Sequence, residues 1–268
     1  GISYTEFSYM ILQSYGFVVL NREYECTIQM GGSDQWGNIT SGIDLVRRME
    51  GKKAYAITYP LVTKADGTKF GKSSDGAVWL DAEMTSPFSF FQFWINAADS
   101  EVMNYLKIFT FSSEIELELL AKAHTSNPGD RIGQLKLARE VTRLVHGEAG
   151  LDAAERITAA LFSNSLDELD HGDLEQLAQD GMPSSKSFPG ALLVEILVSS
   201  GLALTPKGEV TPGQARKLIK GGSVSVNGRK EIDVEARLEV EHALFDRFFV
   251  IQKGKKKHHL VILENLSG

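Results

Sequence analysis

Through residues 5–20 apolar side chains recur three and four positions apart, a spacing that predicts a helix ending near Gly16. Tyr9 and Gln13, four apart, share one face of it. A short strand is predicted at Cys26–Met30. It is followed by the polar run Gly31-Gly32-Ser33-Asp34-Gln35-Trp36-Gly37-Asn38, and then by helical spacing through Ile39, Ile43, Leu45, Val46 and Met49. The stretch from Ala54 to Val62 reads as the next strand. A strand, a Gly-Gly turn and a helix capped by Ser33 or Asp34 make a βα unit, and ligands in open α/β sheets sit at the carboxyl ends of the strands.

From Ser86-Pro87 onward the pattern is helical. Pro87 suits a first helical turn, and Ser113 with Glu116 forms a capping box. Further helices are predicted over 130–146, stopped by Gly147, and over 148–162. Phe88, Phe90, Phe91, Phe93, Trp94, Phe109 and Phe111 are expected to fill the core of this bundle. His146 falls in the last turn before Gly147, as a helix C-terminal cation or a core partner. The segment from Gly181 to Gly190 has linker composition. Beyond it come a helix from Ala191 to Ser200, a second helix opened by Thr211-Pro212, and a hairpin whose Asn227-Gly228 is a type I′ signal. A last strand pair, Phe248–Ile251 and His258–Ile262, brackets Lys253-Gly254-Lys255-Lys256-Lys257. His258 and His259 are expected on a strand face, not at a metal.

Charge alters this picture. The net charge of −7 argues against a polyanion partner only if it is spread evenly. From Pro212 to Leu260 there are 11 Lys and Arg against 6 Asp and Glu, which leaves 17 against 29 elsewhere. A basic module on an acidic body points to RNA phosphate. The candidate cations are Arg216, Lys217 and Lys220 on the second helix and Lys253, Lys255, Lys256 and Lys257 in the last turn. Cys26 is the single cysteine, which excludes an internal disulfide framework and fits a reducing, cytoplasmic setting. No metal-ligand spacing occurs, and no apolar run reaches the length of a membrane span. The start at Gly1, without Met, suggests a fragment or a processed chain.

The densest chemistry lies in Thr63-Lys64-Ala65-Asp66-Gly67-Thr68-Lys69-Phe70-Gly71-Lys72-Ser73-Ser74. Three lysines, two glycines and four hydroxyls with little to bury predict an exposed, mobile loop suited to a polyanion. A solvated turn between domains is the plain alternative. A P-loop is excluded because Asp66 occupies the position of its first glycine.

Two of these stretches together, Gly31–Thr40 and Thr63–Ser73, closely resemble the bacterial tyrosyl-tRNA synthetase family, with Lys69-Phe70-Gly71-Lys72-Ser73 similar to its version of the class I KMSKS loop. The resemblance extends over essentially the whole chain. It implies a multi-domain fold: the C-terminal half of an α/β Rossmann-like catalytic domain (1–82), an all-α anticodon-recognition domain (83–180), a linker (181–190) and a small α+β S4-like RNA-binding domain (191–268). It implies ATP-dependent activation of tyrosine, with Mg2+, and transfer to tRNA(Tyr) by a cytoplasmic homodimer. By the same resemblance Lys69 and Lys72 stabilise the leaving pyrophosphate, assisted by Ser73. Tyr9 and Gln13 hold the tyrosine amino group, Gln29 and Gln35 line the amino-acid side, and Gly32, Asp34 and Lys72 meet ATP. Arg216, Lys217, Lys253, Lys255 and Lys256 correspond to the basic positions that hold tRNA; Lys220 and Lys257 join them on charge alone.

Two departures stand out. No His-x-Gly-His segment, the family's ATP-binding signature, occurs in the 268 residues, so the isolated chain is expected to be catalytically incomplete. Where the family has an aspartate that accepts a hydrogen bond from the substrate phenol, this chain has Gly16, and rejection of phenylalanine depends on such a buried polar partner. The competing reading is a non-catalytic protein that binds structured RNA.

Overall fold

The computed structural model describes residues 1, 3–62, 70, 72–73, 76–163, 165–254 and 257–264, with side chains for all but 72, 73 and 76. The chain divides into two compact units, Gly1–Phe70 and Gly71–Gly268.

The first unit is a βαβ arrangement with one added helix. Helix α1 (Tyr4–Tyr24) starts in a capping box, in which Ser3 Oγ accepts from Glu6 N and the Glu6 carboxylate accepts from Ser3 N. It does not end at Gly16. It runs two turns further, to Glu25 at φ 54, because Phe17, Val18 and Asn21 beyond the glycine are buried against the rest of the unit. A helical glycine costs only about 1 kcal/mol, less than the burial of two large apolar side chains provides. Strand β1 (Ile28–Gly32) and strand β2 (Tyr55–Tyr59) run parallel, with Gly31 opposite Thr58 and Gly32 opposite Tyr59. The crossover between them is a 3-10 turn (Ser33–Gln35) and helix α2 (Trp36–Glu50). Phe17, Val18 and Val46 form the core between α1 and α2. Arg22 and Glu50 close its far end at 2.7 Å, and Asn21 Nδ2 donates to the Cys26 carbonyl at 2.8 Å.

The second unit begins with a small antiparallel pair, β3 (Lys72–Ser73) and β4 (Gly76–Ala77). Helices α3 (Pro87–Ile95), α4 (Asp99–Phe109), α5 (Glu114–Ser126) and α6 (Ile132–Ser163) follow, the last broken at Gly147, φ 71 and ψ −177. Of the expected aromatic core, Phe88, Phe90, Phe91 and Trp94 are buried, Phe93 and Phe109 are half-buried, and Tyr105, outside that expectation, is buried with them. Phe111 is a correction: it is 91% exposed, because α4 has already ended at Thr110 and the cap of α5 begins only at Ser113. His146 is a core partner. Its ring meets Phe90 edge-on at 4.8 Å, and burial lowers its pKa, so it stays neutral and is no terminal cation.

After helix α7 (His171–Gln176) and a π-turn (Leu177–Gly181) comes a five-stranded sheet. Its order is β5 (Ser184–Ser187), β11 (Lys257–Leu263), β10 (Phe248–Lys253), β7 (Val224–Val226) and β8 (Arg229–Glu231). The segment expected as a linker therefore contributes β5, parallel to β11 with Leu260 opposite Ser184. Its Ser-Ser-Lys-Ser sequence has no apolar alternation to announce a strand; it pairs because the backbone of β11 offers it partners. The remaining elements are β6 (Ala191–Leu192), α8 (Leu193–Ser199), α9 (Pro212–Lys220) and β9 (Arg237–Leu238), with β6 paired to β9.

Alternation on β10 covers both faces of this sheet. Phe249 and Ile251 pack with Val261, Leu197 and Ile219 on the α8–α9 side. Phe248 and Val250 pack with Leu260, Leu174, Leu177 and Ile157 on the side of α6 and α7. The helical segment and the small α+β segment thus share one apolar layer within this unit.

Candidate functional site

In the first unit the polar run after β1 forms a hydrogen-bonded row of amides. Asn38 Nδ2 donates to Gln13 Oε1 at 3.0 Å and to Gln35 Oε1 at 3.3 Å, and Gln35 Nε2 donates to Asp34 Oδ2 at 3.1 Å. Helix α1 supplies Gln13, the 3-10 turn supplies Asp34 and Gln35, and α2 supplies Asn38. The row lies at the carboxyl end of β1, where the parallel strands open. Asp34 is not the helix cap that the sequence suggested. A 3-10 turn precedes α2 without any side-chain cap, which leaves the carboxylate for Gln35.

The two glycines make this approach possible. A Cβ on Gly32 would fall 2.6 Å from Asp34 Oδ1 and 2.8 Å from Leu61 Cδ2; one on Gly31 would fall 3.1 Å from Gln35 Cβ. Side chains at these positions would displace the row. Gln29, two residues before Gly31 and on the same face of β1, turns toward Gly42 of α2. Its Oε1 is buried without a hydrogen-bond partner. Tyr9, one turn before Gln13 on α1, is 57% exposed. Asn38 is the member of this row that sequence reasoning passed over, although it closes the polar run in which Asp34 and Gln35 stand.

Lys69 lies outside the described residues. Lys72 and Ser73 are described by their backbone alone, paired with Ala77 and Gly76. They belong to the second unit, so the amide row is built from the first unit by itself.

The candidate cations of the second unit differ in what holds them. On α9, Ala215 and Ile219 are buried, whereas Arg216, Lys217 and Lys220 are exposed. None of these three cations has an acidic partner among the described residues. Lys253 is no free cation: its Nζ donates to the Leu202 carbonyl at 2.6 Å. Lys257, its cross-strand partner, is exposed. Lys255 and Lys256 lie outside the described residues. Gly254 N donates to the Ser223 carbonyl at 3.0 Å, which ties the β10–β11 turn to the segment leaving α9. His259 Nε2 is 2.8 Å from Ser185 Oγ on β5, as a strand-face residue, and burial lowers the pKa of both His258 and His259.

Comparison with known proteins adds the family context. Residues 1–163 match the family model of class I tRNA synthetases (W and Y), and residues 173–261 match that of the tyrosine–tRNA ligase SYY-like C-terminal domain. The tyrosine–tRNA ligase of Aliivibrio fischeri strain MJ11 is 54% identical over 263 residues, covering 98% of this chain and 60% of that protein. That of Escherichia coli O139:H28 is 51% identical over 261 residues, covering 97% and 60%. A C-terminally truncated mitochondrial tyrosyl-tRNA synthetase from Aspergillus nidulans superposes with a TM-score of 0.51 at 32% identity, over 60% of this chain and 46% of that one. The chain thus spans about 60% of the length of the curated relatives it matches.

Proposed function

The chain belongs to the class I tRNA synthetase family that comprises the tryptophan and tyrosine enzymes, and we propose that it serves a tyrosine–tRNA ligase. In that reaction a tyrosine carboxylate oxygen attacks the α-phosphorus of ATP and pyrophosphate leaves; the tyrosyl group then passes from AMP to the 3′-terminal adenosine of tRNA(Tyr). These residues carry the amino-acid and pyrophosphate side of the site and the tRNA-binding elements. We read the first unit as part of a Rossmann-like domain and the sheet with α8 and α9 as S4-like.

The observation that carries this reading is the row Gln13–Asn38–Gln35–Asp34. An ammonium group needs acceptors, and Gln13 and the exposed Tyr9 offer them one turn apart on α1; Gln29 and Gln35 are assigned to the amino-acid side. Gln35 extends the same row toward the substrate carboxyl. Asp34, held over a glycine that leaves it room, suits a ribose hydroxyl. ATP enters as its Mg2+ complex, with the metal on the phosphates; Asp34 is the single carboxylate of the row. Lys69 and Lys72, with Ser73, meet the pyrophosphate as charge builds on it in the transition state. Arg216, Lys217 and Lys220 on α9 and the lysines of the β10–β11 turn neutralise tRNA phosphates. No helix among the described residues is long and apolar enough to cross a membrane; the cytoplasm and a homodimer are part of the proposal.

The test has two arms. The 268 residues alone should bind a tRNA(Tyr) transcript and should not support tyrosine-dependent ATP–pyrophosphate exchange. Robust exchange would overturn the catalytic incompleteness, and absence of tRNA binding would overturn the RNA reading.

A further inference from the structure

The pair β3–β4, which carries Lys72 and Ser73, ends at Ala77, and a single residue, Val78, separates it from a closely bonded turn. In that turn Trp79 N donates to Thr85 Oγ1 at 3.0 Å, Glu83 N to Asp81 Oδ1 at 2.9 Å and Thr85 N to the Asp81 carbonyl at 2.9 Å. Thr85 and Ser86, at its end, are buried although both are polar. Local bonds satisfy Thr85. Ser86 is satisfied from a distant part of the second unit, the π-turn that follows α7.

Three side chains of that segment reach back to residues 82–89. Gln179 Nε2 donates to the carbonyls of Ala82 at 2.9 Å and Glu83 at 3.1 Å. The Asp180 carboxylate accepts from Ser86 N at 2.9 Å, from Ser86 Oγ, and from Ser89 Oγ at 2.8 Å. Gln176 Oε1 accepts from Phe88 N at 3.0 Å. The approach is so close that a Cβ on Gly181 would fall 2.9 Å from Phe88 Cδ1. Helix α3 does not need this help to begin, because Ser86 Oγ already caps it by accepting from Ser89 N at 3.1 Å. The bonds to Gln179 and Asp180 instead tie together positions up to 97 apart. A carboxylate with three donors is a strong tether, and π-turns inside helices are uncommon features that cluster at functional positions.

We propose that Gln179 and Asp180 are positioning residues: they anchor the base of the β3–β4 pair and so fix where the backbone of Lys72 and Ser73 stands on the second unit. The proposal rests on the tyrosine–tRNA ligase reading, in which Lys72 and Ser73 meet the departing pyrophosphate. A cation that answers charge developed only in the transition state acts through its placement. A pair of strands loosened at its base carries the same lysine but holds it less often where that charge appears. The loss therefore falls on kcat, whereas tyrosine binding, assigned to residues of the first unit, is untouched.

The test uses Asp180→Ala, Asp180→Asn and Gln179→Ala, each checked for an unchanged circular dichroism spectrum. Gln179 is exposed, so its variant keeps the test open if Asp180→Ala does not fold. In the 268-residue chain, hydrogen exchange of the Trp79, Glu83, Thr85 and Ser86 amides is followed by NMR. In a complete ligase bearing these residues, tyrosine-dependent ATP–pyrophosphate exchange is measured. The expected result is faster amide exchange in both alanine variants, and a kcat about ten- to hundredfold lower with the KM for tyrosine unchanged. Asp180→Asn should restore kcat toward wild type, because its amide oxygen can keep the Ser86 N–H bond while its NH2 donates to the two serine hydroxyls. Slower catalysis without faster amide exchange, or a fall in kcat matched by a rise in the KM for tyrosine, overturns the proposal. A wild-type ligase with no tyrosine-dependent exchange refutes the ligase reading and the proposal with it. An active wild type whose kcat is indifferent to both alanine substitutions refutes the anchor alone.

Discussion

Asp173 is the side chain on which the packing of α7 beneath the sheet depends. It is 1% exposed, and its two oxygens accept from Arg156 Nε at 2.6 Å and Nη2 at 2.8 Å. It also accepts from the backbone N–H of Asp170 at 3.0 Å, completing the capping box of α7. Asp173→Ala removes all three bonds. Loss of the cap costs about 1 kcal/mol, and loss of a charge-assisted pair about 1.5–3 kcal/mol. The guanidinium left behind is 36% exposed and keeps Asp170 at 2.9 Å, so it is not stranded in the core, and the total should be about 2–4 kcal/mol. Arg156→Ala leaves the more deeply buried partner charged and without a counter-charge, held only by the Asp170 N–H, so it should cost at least as much, about 3–5 kcal/mol. Asp173→Asn retains the cap acceptor and should cost least. Urea unfolding followed by circular dichroism at pH 7.5 measures all three, and a double-mutant cycle of Arg156→Ala with Asp173→Ala should be strongly non-additive. Additive costs, or an Asp173→Ala variant within about 0.5 kcal/mol of wild type, would show that the pair does not hold α7 and would refute this reasoning.

Replacing Asn38 by Ala frees the amides of Gln13 and Gln35 and should lower tyrosine affinity in a ligase bearing these residues by about tenfold, equivalent to two net hydrogen bonds of about 0.5–1 kcal/mol each; unchanged affinity for tyrosine would remove Asn38 from the site. Charge removal at Lys217 and Lys257 should weaken tRNA binding and lower the salt slope by about one unit for each phosphate left without its cation, whereas an unchanged slope marks a merely solvated face. Gly16→Asp should be accommodated, since nothing lies within 4 Å of a Cβ there, and in a complete, exchange-competent ligase bearing these residues it should raise selectivity for tyrosine over phenylalanine; a tyrosine-to-phenylalanine exchange ratio unchanged from that of the Gly16 parent would refute that role. Burial holds His146, His258 and His259 below the ordinary value of 6.5, so the unfolded chain binds more protons as pH falls below 6.5. Stability is full above that value and declines beneath it; a urea midpoint equal at pH 7.5 and pH 5.5 would contradict this.

Much of the fold was legible where the local signal and the tertiary demand agree. Asn227-Gly228 predicts a hairpin because both positions need positive φ, and they have it, at 47° and 79°. Ser113 and Glu116 announce α5 because the capping box is a local bond. The sequence misleads where distant contacts decide. Gly16 looks like a stop, but the residues that carry α1 past it are held by α2. Ser184–Ser187 looks like a linker because its pairing partner lies more than seventy residues further along the chain. Phe111 looks like core by composition, and only the point at which α4 ends puts it in solvent. At the candidate site the residue types were legible, since a polar run after a strand has little other purpose. The bridging position of Asn38 was not, because it depends on α1 crossing beside α2.

The basic end of the chain shows why charge alone is a poor guide to which lysines are free to meet a phosphate. By composition Lys253 and Lys257 are equivalent members of one cluster. Their cross-strand register on β10 and β11 places them opposite each other, yet only Lys257 is left exposed, because Lys253 reaches back to the Leu202 carbonyl. An ammonium group so engaged contributes to the local potential and to the shape of the turn 200–202, but it must break a hydrogen bond before it can contact a phosphate directly. The exposed cations of α9 need no such step, and Ala215 and Ile219 anchor their helix to the same sheet that ends in the lysine turn. On the proposed tRNA-binding reading, the described candidate cations free to meet a phosphate without such a step are Arg216, Lys217 and Lys220 of α9 and Lys257 at the start of β11, held in one frame by the apolar layer of Phe249, Ile251 and Val261.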